Sequence, residues 1–243
     1  MEDEKKIAYI GHYAVDQPVF RETLRYLEGF PDVALRLASG TLPSFPTTVS
    51  EITIDYLLKY ATEVDEPFFE AMKAAEKEGF KAAVTASFGD FGVARARAEL
   101  SIPCIGMAWA NYAKAREVGG TFSVFHTHIP ETLDFAFQQL QVYGFSDYCA
   151  SVELFDVDIY RWLATGEKPD LGQLAHAALP LVRKCMEKGA RAIVIGCGSP
   201  DLSIFAQALN DFALKEYGIP VLAPIATAIQ VARDMLAGSR PRG

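Results

Sequence analysis

Short apolar runs alternate with longer amphipathic stretches along the chain, a pattern typical of a parallel β-sheet whose strands are connected by helices. The apolar runs predict strands at Ile7–Ile10, Val33–Ala38, Lys81–Ala86, Pro103–Gly106, Thr121–Phe125, Tyr148–Phe155, Ala192–Ile195 and Pro220–Ala223. Helical spacing predicts helices at Val19–Phe30, 49–61, 67–78, Val93–Leu100, Ala108–Val118, around Leu133–Leu140, at Gln173–Lys188 with a break at Pro180, and at Leu202–Tyr217 and Thr227–Ala237. A loop is predicted at Ser39–Thr48, a polar segment with no assigned element follows Phe155 and runs through Asp170, and the fold class is α/β.

Two segments of the chain repeat one pattern 110 residues apart, at 79–90 and 189–201. Each starts with a glycine, any residue, a basic residue and an apolar strand, and each is followed by a helix and an Ile-Pro strand. Six residues after the basic residue stand Ser87 and Cys197. The repeat predicts two pseudo-symmetric lobes, each a mostly parallel sheet flanked by helices, with the active site in the cleft between them. We expect residues 1–107 with 224–243 to form the first lobe and 108–223 the second.

Composition and charge indicate which kinds of partner the protein is expected to have. The 243 residues carry 23 basic and 31 acidic side chains, a net charge of −8, and no basic cluster, so nucleic acid is not expected as a partner. No apolar run approaches the roughly 20 residues of a membrane span, and the charged first six residues do not form a signal peptide. We therefore expect a cytoplasmic protein with a small-molecule substrate, and self-association into a homo-oligomer is a further option.

The four cysteines show no metal-ligand spacing, and no phosphate-binding glycine loop is present, so neither a metal nor a cofactor is expected. One of them, Cys197, stands between two glycines in the loop after the 192–195 strand. Open α/β sheets bind ligands outside the carboxyl ends of their strands. A helix N-terminus at the same place is expected to lower the pKa of the thiol. Cys197 is therefore the main candidate for an acid/base group.

If the two lobes face each other, Ser87 and Cys197 flank one small ligand, an arrangement suited to moving a proton from one face of a carbon to the other. The amides of Gly198-Ser199 and Phe88-Gly89 could hold a carboxylate or enolate oxygen. His126 and His12 each end a predicted strand and could reach the ligand. Asp90 and Asp201 are predicted to cap helix N-termini.

The chain resembles the aspartate/glutamate/hydantoin racemase superfamily, and most closely its hydantoin racemase branch. The resemblance rests on the segments 86–93, 144–152, 195–198 and 219–228, and it covers most of the chain. It implies two pseudo-symmetric α/β lobes and cofactor-independent proton transfer by two opposed cysteines. Cys197 matches the second family cysteine, but Ser87 stands where the first is expected, and Gly11-His12-Tyr13 replaces an Asn-Pro-Asn-like segment.

Three functions follow for the site. The first is a racemase or isomerase that acts at a carbon next to the carbonyl of a small hydantoin-, amino-acid- or carboxylate-like substrate. The second is a single-cysteine decarboxylase of a malonate-type acid, which related arylmalonate decarboxylases suggest, and the third is a non-catalytic small-ligand-binding protein. The predicted catalytic residues are Cys197, Ser87 and His126, and the predicted substrate-binding residues are His12, Phe88, Thr127, Gly198 and Ser199.

Overall fold

The computed structural model describes residues 6–38, 54–127, 132–155 and 157–239. Its eight strands are β1 (Ile7–Gly11), β2 (Val33–Leu37), β3 (Ala82–Thr85), β4 (Cys104–Ile105), β5 (Phe122–Thr127), β6 (Cys149–Phe155), β7 (Ile193–Gly196) and β8 (Val221–Leu222). Its helices are α1 (Pro18–Leu27), α2 (Ile54–Lys77), α3 (Val93–Glu99), α4 (Met107–Gly119), α5 (Thr132–Val142), α6 (Ile159–Thr165), α7 (Leu171–Ala177), α8 (Leu179–Glu187), α9 (Pro200–Tyr217) and α10 (Pro224–Leu236).

The strands form two four-stranded sheets with the same topology. The first has the order β2-β1-β3-β4 and the second the order β6-β5-β7-β8, and every neighbouring pair is parallel. Each sheet therefore has one switch in strand order, at the point where open α/β sheets place ligands. The predicted α/β class with two similar parallel sheets is confirmed.

Strand residues alternate between two faces, and the two faces belong to different cores. In β1 and β3, Ile7, Tyr9 and Val84 join one core with Phe122 and Val124 of β5. That core also contains residues of α4 and α10. The outward faces are covered by separate clusters, one around α2 and α3 and one around α7, α8 and α9.

One helix replaces the two that were predicted at 49–61 and 67–78. Within the described residues, α2 runs from Ile54 to Lys77 and contains Pro67. Proline removes one main-chain hydrogen bond and normally interrupts a helix. Here Val64, Phe68, Phe69 and Met72 are all buried against the first sheet, so apolar packing continues across the proline and outweighs the local cost.

The region after β6 also differs from the prediction. A helix, α6, lies within the polar segment to which the sequence assigned no element. The Asp158 carboxylate accepts the Arg161 N–H at its start, and Gly166 ends it in the left-handed conformation. The break in the next helix is confirmed, because α7 and α8 meet at Ala178 with Pro180 in the first turn of α8. The predicted loop at 39–48 lies outside the described residues.

The last helix packs back against the first sheet. Ile225 and Ile229 of α10 lie in the core that both sheets share, next to α4. Near the end of α10, the Arg233 guanidinium pairs with Asp32 just before β2, with Nε 2.9 Å from Oδ2. None of the described helices has both the length and the apolarity that a membrane span requires.

Candidate active site

The loop after β7 touches the end of β3. A Cβ atom on Gly198 would lie 2.2 Å from the main-chain oxygen of Ala86, so only glycine permits the observed approach. Gly198 follows Cys197 directly, and Ala86 precedes Ser87. The structure therefore brings together the two loops that the repeat predicts to face each other.

Cys197 is half-buried and lies three residues before the start of α9. Burial raises the pKa of its thiol above the ordinary value, and the nearby Asp201 carboxylate adds to this rise. Hydrogen bonds from the Ser199 amide and hydroxyl and from the Gly198 amide act in the opposite direction. The prediction of a lowered pKa for Cys197 is therefore wrong, because loss of hydration outweighs the donors at the helix N-terminus.

Ser199 has two partners. Its hydroxyl oxygen accepts the Leu202 N–H at 3.1 Å and so caps α9, while the hydroxyl also bonds to the Cys197 sulfur. Because Ser199 forms the cap, α9 begins at Pro200, two residues before the predicted start at Leu202. The Ser199 side chain thus caps α9 and also holds the Cys197 thiol through a hydrogen bond.

Ser87 lies in a different local structure. Its hydroxyl accepts the Gly89 N–H at 3.1 Å, and its own N–H donates to the Thr85 hydroxyl at 3.3 Å. The following helix, α3, begins only at Val93, so the Ser87 hydroxyl caps a tight turn and not a helix. Of the two amides of this loop that were predicted to hold an oxyanion, that of Gly89 is already engaged by Ser87.

His126 lies beside the Cys197 loop. It pairs with Gly196 in the register of β5 and β7, and a Cβ on Gly196 would lie 3.3 Å from the His126 ring. Burial lowers the pKa of His126, which favours the neutral imidazole, and the Thr127 carbonyl partly offsets this. Thr127 is the last residue of β5, so its side chain points to the opposite face from His126.

His12 is buried, and burial lowers its pKa to about 4. Its ring packs between Tyr13 and Phe68 and contacts the Tyr60 hydroxyl of α2 through Nε2. Aromatic side chains therefore enclose the His12 ring, and it is not exposed to solvent. Phe88 is also buried, and its ring meets Tyr112 edge to face at 5.7 Å in the core that both sheets share.

Two buried tyrosines that sense the charge of Cys197 were not predicted as site residues. Tyr9 and Tyr13 are buried, and a charge on Cys197 would raise the pKa of both phenols. Burial raises the pKa of Tyr13 to about 12 and that of Tyr9 further, so both stay protonated at neutral pH. The available signal was a single phenol, Tyr9, within an otherwise aliphatic strand.

The two predicted capping aspartates have different partners. Asp201 does not cap α9, because Ser199 does so; it lies in the first turn of that helix and pairs with Lys168, Oδ1 to Nζ 2.5 Å. Asp90 does not cap α3. Its carboxylate instead accepts the N–H groups of Ala108 and Trp109 at the start of α4, at 2.9 and 3.0 Å. The helix that follows in sequence is therefore not the one that Asp90 caps.

No cluster of three or more histidine, cysteine or acidic side chains suited to a metal ion occurs among the described residues. The four cysteines are all free thiols. The donors that surround Cys197 are main-chain amides and hydroxyls, which suit proton transfer and binding of a small anion.

These features define a class: a two-lobed α/β protein with a thiol at the lobe junction. The sequence profile of the family described as Asp/Glu/Hydantoin racemase matches residues 46–232. The chain therefore belongs to the Asp/Glu/hydantoin racemase family. The resemblance drawn from the sequence motifs is confirmed, as is membership in a racemase class of enzymes.

Three similar proteins illustrate this relationship. Hydantoin racemase from Rhizobium meliloti is 28% identical over 68% of this chain, and the match spans only 64% of that enzyme. Hydantoin racemase from Paenarthrobacter aurescens is 29% identical over 86% of this chain and 85% of its own length. The structure of allantoin racemase from Klebsiella pneumoniae has a TM-score of 0.74, with 23% identity, over 98% of this chain and 90% of that one. The last comparison supports the two-lobed fold.

Proposed function

We propose that the protein is a cofactor-independent racemase or isomerase that transfers a proton at the carbon next to a carbonyl of a small hydantoin-, amino-acid- or carboxylate-like substrate. Cys197 is the principal acid/base. The observation that carries the proposal is the contact of Gly198 with Ala86, since it sets the thiol loop of one lobe against the Ser87 loop of the other.

The proposed chemistry starts with the Cys197 thiolate. It removes the proton next to the carbonyl and becomes a thiol, and the substrate becomes an enolate. The Gly198 amide, which bonds to the sulfur in the free protein, and the Ser87 hydroxyl are the proposed donors to the enolate oxygen. A raised thiol pKa makes the thiolate scarce at neutral pH but makes it a stronger base once formed.

Return of the proton from the other face needs a second group. A serine hydroxyl is a far weaker acid than a thiol, whose ordinary pKa is about 8.5. We propose that the neutral His126 imidazole beside Gly196 takes the proton from the Cys197 thiol, and that the imidazolium so formed delivers it to the other face of the carbon, which restores both the thiolate and the neutral imidazole. His12, Phe88, Thr127, Gly198 and Ser199 remain the proposed substrate-binding residues.

One observation favours the decarboxylase as the second candidate. The position equivalent to Cys197 holds Ser87, whose oxygen is already engaged by the Gly89 N–H. A site with one thiol can protonate a planar enediolate from one face, which would yield a single enantiomer from a malonate-type acid. In that reaction the carbon–carboxylate bond breaks, CO₂ leaves, and the carbon takes a proton from Cys197.

Solvent deuterium separates these functions. We would incubate the protein in D₂O with single enantiomers of 5-substituted hydantoins, of amino acids and with disubstituted malonates. The racemase or isomerase predicts deuterium at the carbon next to the carbonyl with loss of optical purity. The decarboxylase predicts CO₂ and one deuterated enantiomer. Tight binding with no exchange and no turnover of any of these compounds would show a binding protein instead.

A further inference from the structure

Hydrogen bonds to the Asp90 carboxylate connect the loop that carries Ser87 to α4 and to the residue after α5. Besides the Ala108 and Trp109 amides, the Tyr143 hydroxyl donates to Asp90 Oδ2 at 2.8 Å. Asp90 is only 6% exposed. Both oxygens of this buried carboxylate are therefore held by donors from α4 and from the residue that follows α5.

The backbone at Asp90 is strained to reach these donors. Among the described residues Asp90 is the one non-glycine with a positive φ, of 53°. That conformation costs roughly 1 kcal/mol for a residue with a Cβ. The approach also requires Gly106, where a Cβ would lie 2.3 Å from Asp90 Oδ2. Strain of this kind persists where several contacts determine it together, and it is typical of functional sites.

A second set of hydrogen bonds holds the same loop at Phe88, two residues before Asp90. The Gln139 side chain of α5 donates from Nε2 to the Phe88 carbonyl at 2.8 Å, and its Oε1 accepts the Tyr112 hydroxyl at 3.1 Å. Gln139 is buried, and the Phe88 ring packs on Tyr112. The turn from Ser87 to Asp90 is thus anchored at both Phe88 and Asp90.

Ser87 needs these anchors because no helix positions it. Cys197 is followed within three residues by α9, whose cap Ser199 bonds to the thiol. We propose that Asp90, Tyr143 and Gln139, here called the loop clamp, are positioning residues that hold Ser87 opposite Cys197. The inference rests on the proposed function, since it concerns the geometry of the same site.

The titratable groups around Asp90 make the clamp sensitive to acid. Arg97 of α3 and the phenols of Tyr112 and Tyr143 surround the carboxylate. Burial raises the pKa of Asp90 to about 6, while the two amides, Tyr143 and Arg97 lower it. A protonated carboxyl has fewer acceptor sites for its three donors, so the position of the Ser87 loop should change as the pH falls below about 6, although removal of the buried charge stabilises the fold as a whole.

Hydrogen exchange tests the clamp without any substrate. In Tyr143→Phe we expect the amides of 87–92 to exchange about tenfold faster, while those of 193–203 are unchanged. Gln139→Met, a second variant, should speed exchange at 87–90. The matched control is Tyr148→Phe, which removes the hydroxyl of a half-buried tyrosine packed under the Arg116 guanidinium. Unchanged exchange at 87–92 in both clamp variants would overturn the inference.

Kinetics test whether the position of Ser87 matters to the reaction. Tyr143→Phe should lower kcat about tenfold and change KM less than twofold. The acid limb of the kcat/KM profile should move to higher pH, because loss of the hydroxyl donor raises the pKa of Asp90. A lower melting temperature with unchanged kcat and pH profile means a merely structural role and contradicts the inference. If the wild type turns over none of the substrates, the proposed function fails, while the exchange experiment still decides on the clamp.

Discussion

The loops after β3 and β7 occupy equivalent places in the two sheets but differ in length and support. Three residues separate β7 from α9, and seven separate β3 from α3. The short loop presents Cys197 directly in front of a helix, whereas the long loop turns Ser87 back onto Gly89 and is held by distant side chains. The two sheets thus share one topology but hold the small polar side chain at the end of the strand by different contacts.

The central strands show the same divergence. Ile10 pairs with Thr85 in the first sheet, and Phe125 pairs with Ile195 in the second, so Gly11 is equivalent to His126. The absent side chain at Gly11 is replaced by the Tyr13 ring, which lies 2.7 Å from where its Cβ would be. The second lobe therefore contributes the imidazole of His126 and the thiol of Cys197 to the site. The first lobe contributes the phenols of Tyr9 and Tyr13 and the hydroxyl of Ser87, so the two lobes share a fold but carry different chemical groups.

The largest expected effect is the loss of the thiol. Cys197→Ala should lower kcat/KM for racemisation by about 10³-fold, because proton transfer by a positioned side chain contributes roughly 10² to 10⁴-fold. Chiral chromatography of the hydantoin product measures the change. Cys149→Ala, which removes another half-buried thiol, is the control. Equal activity in the two variants would mean that Cys197 is not the acid/base group that distinguishes the second lobe from the first.

The buried carboxylates of the two halves should respond to pH in opposite directions. Asp90 has a pKa raised to about 6, mainly by burial, so its stabilising contribution is present below the unfolded value near 4 and is lost as pH rises through 6. The shift corresponds to about 3 kcal/mol. The pKa of Glu153 falls to about 2, because Lys184 and Lys188 outweigh its burial, so its contribution is lost as pH falls through 2.

Urea unfolding between pH 3 and 7 checks both halves of this comparison. The difference in unfolding free energy between the wild type and Asp90→Asn should shift in favour of the wild type as the pH falls from 7 to 4. Between the wild type and Glu153→Gln, the difference should shift against the wild type as the pH falls from about 5 to 3. A shift of the same sign for both variants would contradict the assignment.

A methyl group at the contact between the loops should have the next largest effect. Gly198→Ala places a Cβ 2.2 Å from the Ala86 main-chain oxygen, so the two loops must separate. We expect a loss of about 2 kcal/mol in unfolding free energy, typical of overpacking, together with a loss of turnover. Gly29→Ala is the control, since its nearest neighbour would be at an ordinary 3.6 Å. Full activity in Gly198→Ala would refute a site at this contact.

The smallest expected effect is a gain. Ser87→Cys should raise the rate of racemisation about tenfold by giving both faces of the substrate a thiol, since a thiol is a much stronger acid than a hydroxyl. Optical rotation of a single hydantoin enantiomer follows it over time. If the variant leaves the stereochemical course untouched, the two loops do not address opposite faces of the substrate.

The sequence predicted the elements that have strong periodicity and clear end signals. The strands ending at Thr85 and Gly196 were predicted within one residue of their observed ends, because their apolar runs are bounded by polar or glycine residues. α2 was divided at Pro67 because local propensity carries no information on the sheet packed beneath it. α6 was missed since its Asp158 cap and Gly166 stop enclose only two turns of helix.

The candidate site was predictable only where the repeat pointed to it. Cys197 and Ser87 follow from their equivalent positions in 79–90 and 189–201. The shift of the Cys197 pKa was predicted with the wrong sign, because the sequence shows the helix N-terminus but not the burial around the thiol. Gln139 and Tyr143 carry no motif. Their bonds to the Ser87 loop depend on tertiary packing between segments about 50 residues apart in sequence.

The position of α10 has a consequence for synthesis on the ribosome. The inner face of the first sheet, including Tyr9 and Val84, is covered partly by Ile225 and Ile229. These residues are synthesised after all four strands of the second sheet, and the Arg233–Asp32 pair joins α10 to the residues just before β2. The inner face of the first sheet therefore keeps an uncovered apolar area until α10 has been made. The first lobe completes its folding after the second sheet is available, although its own sheet is made first.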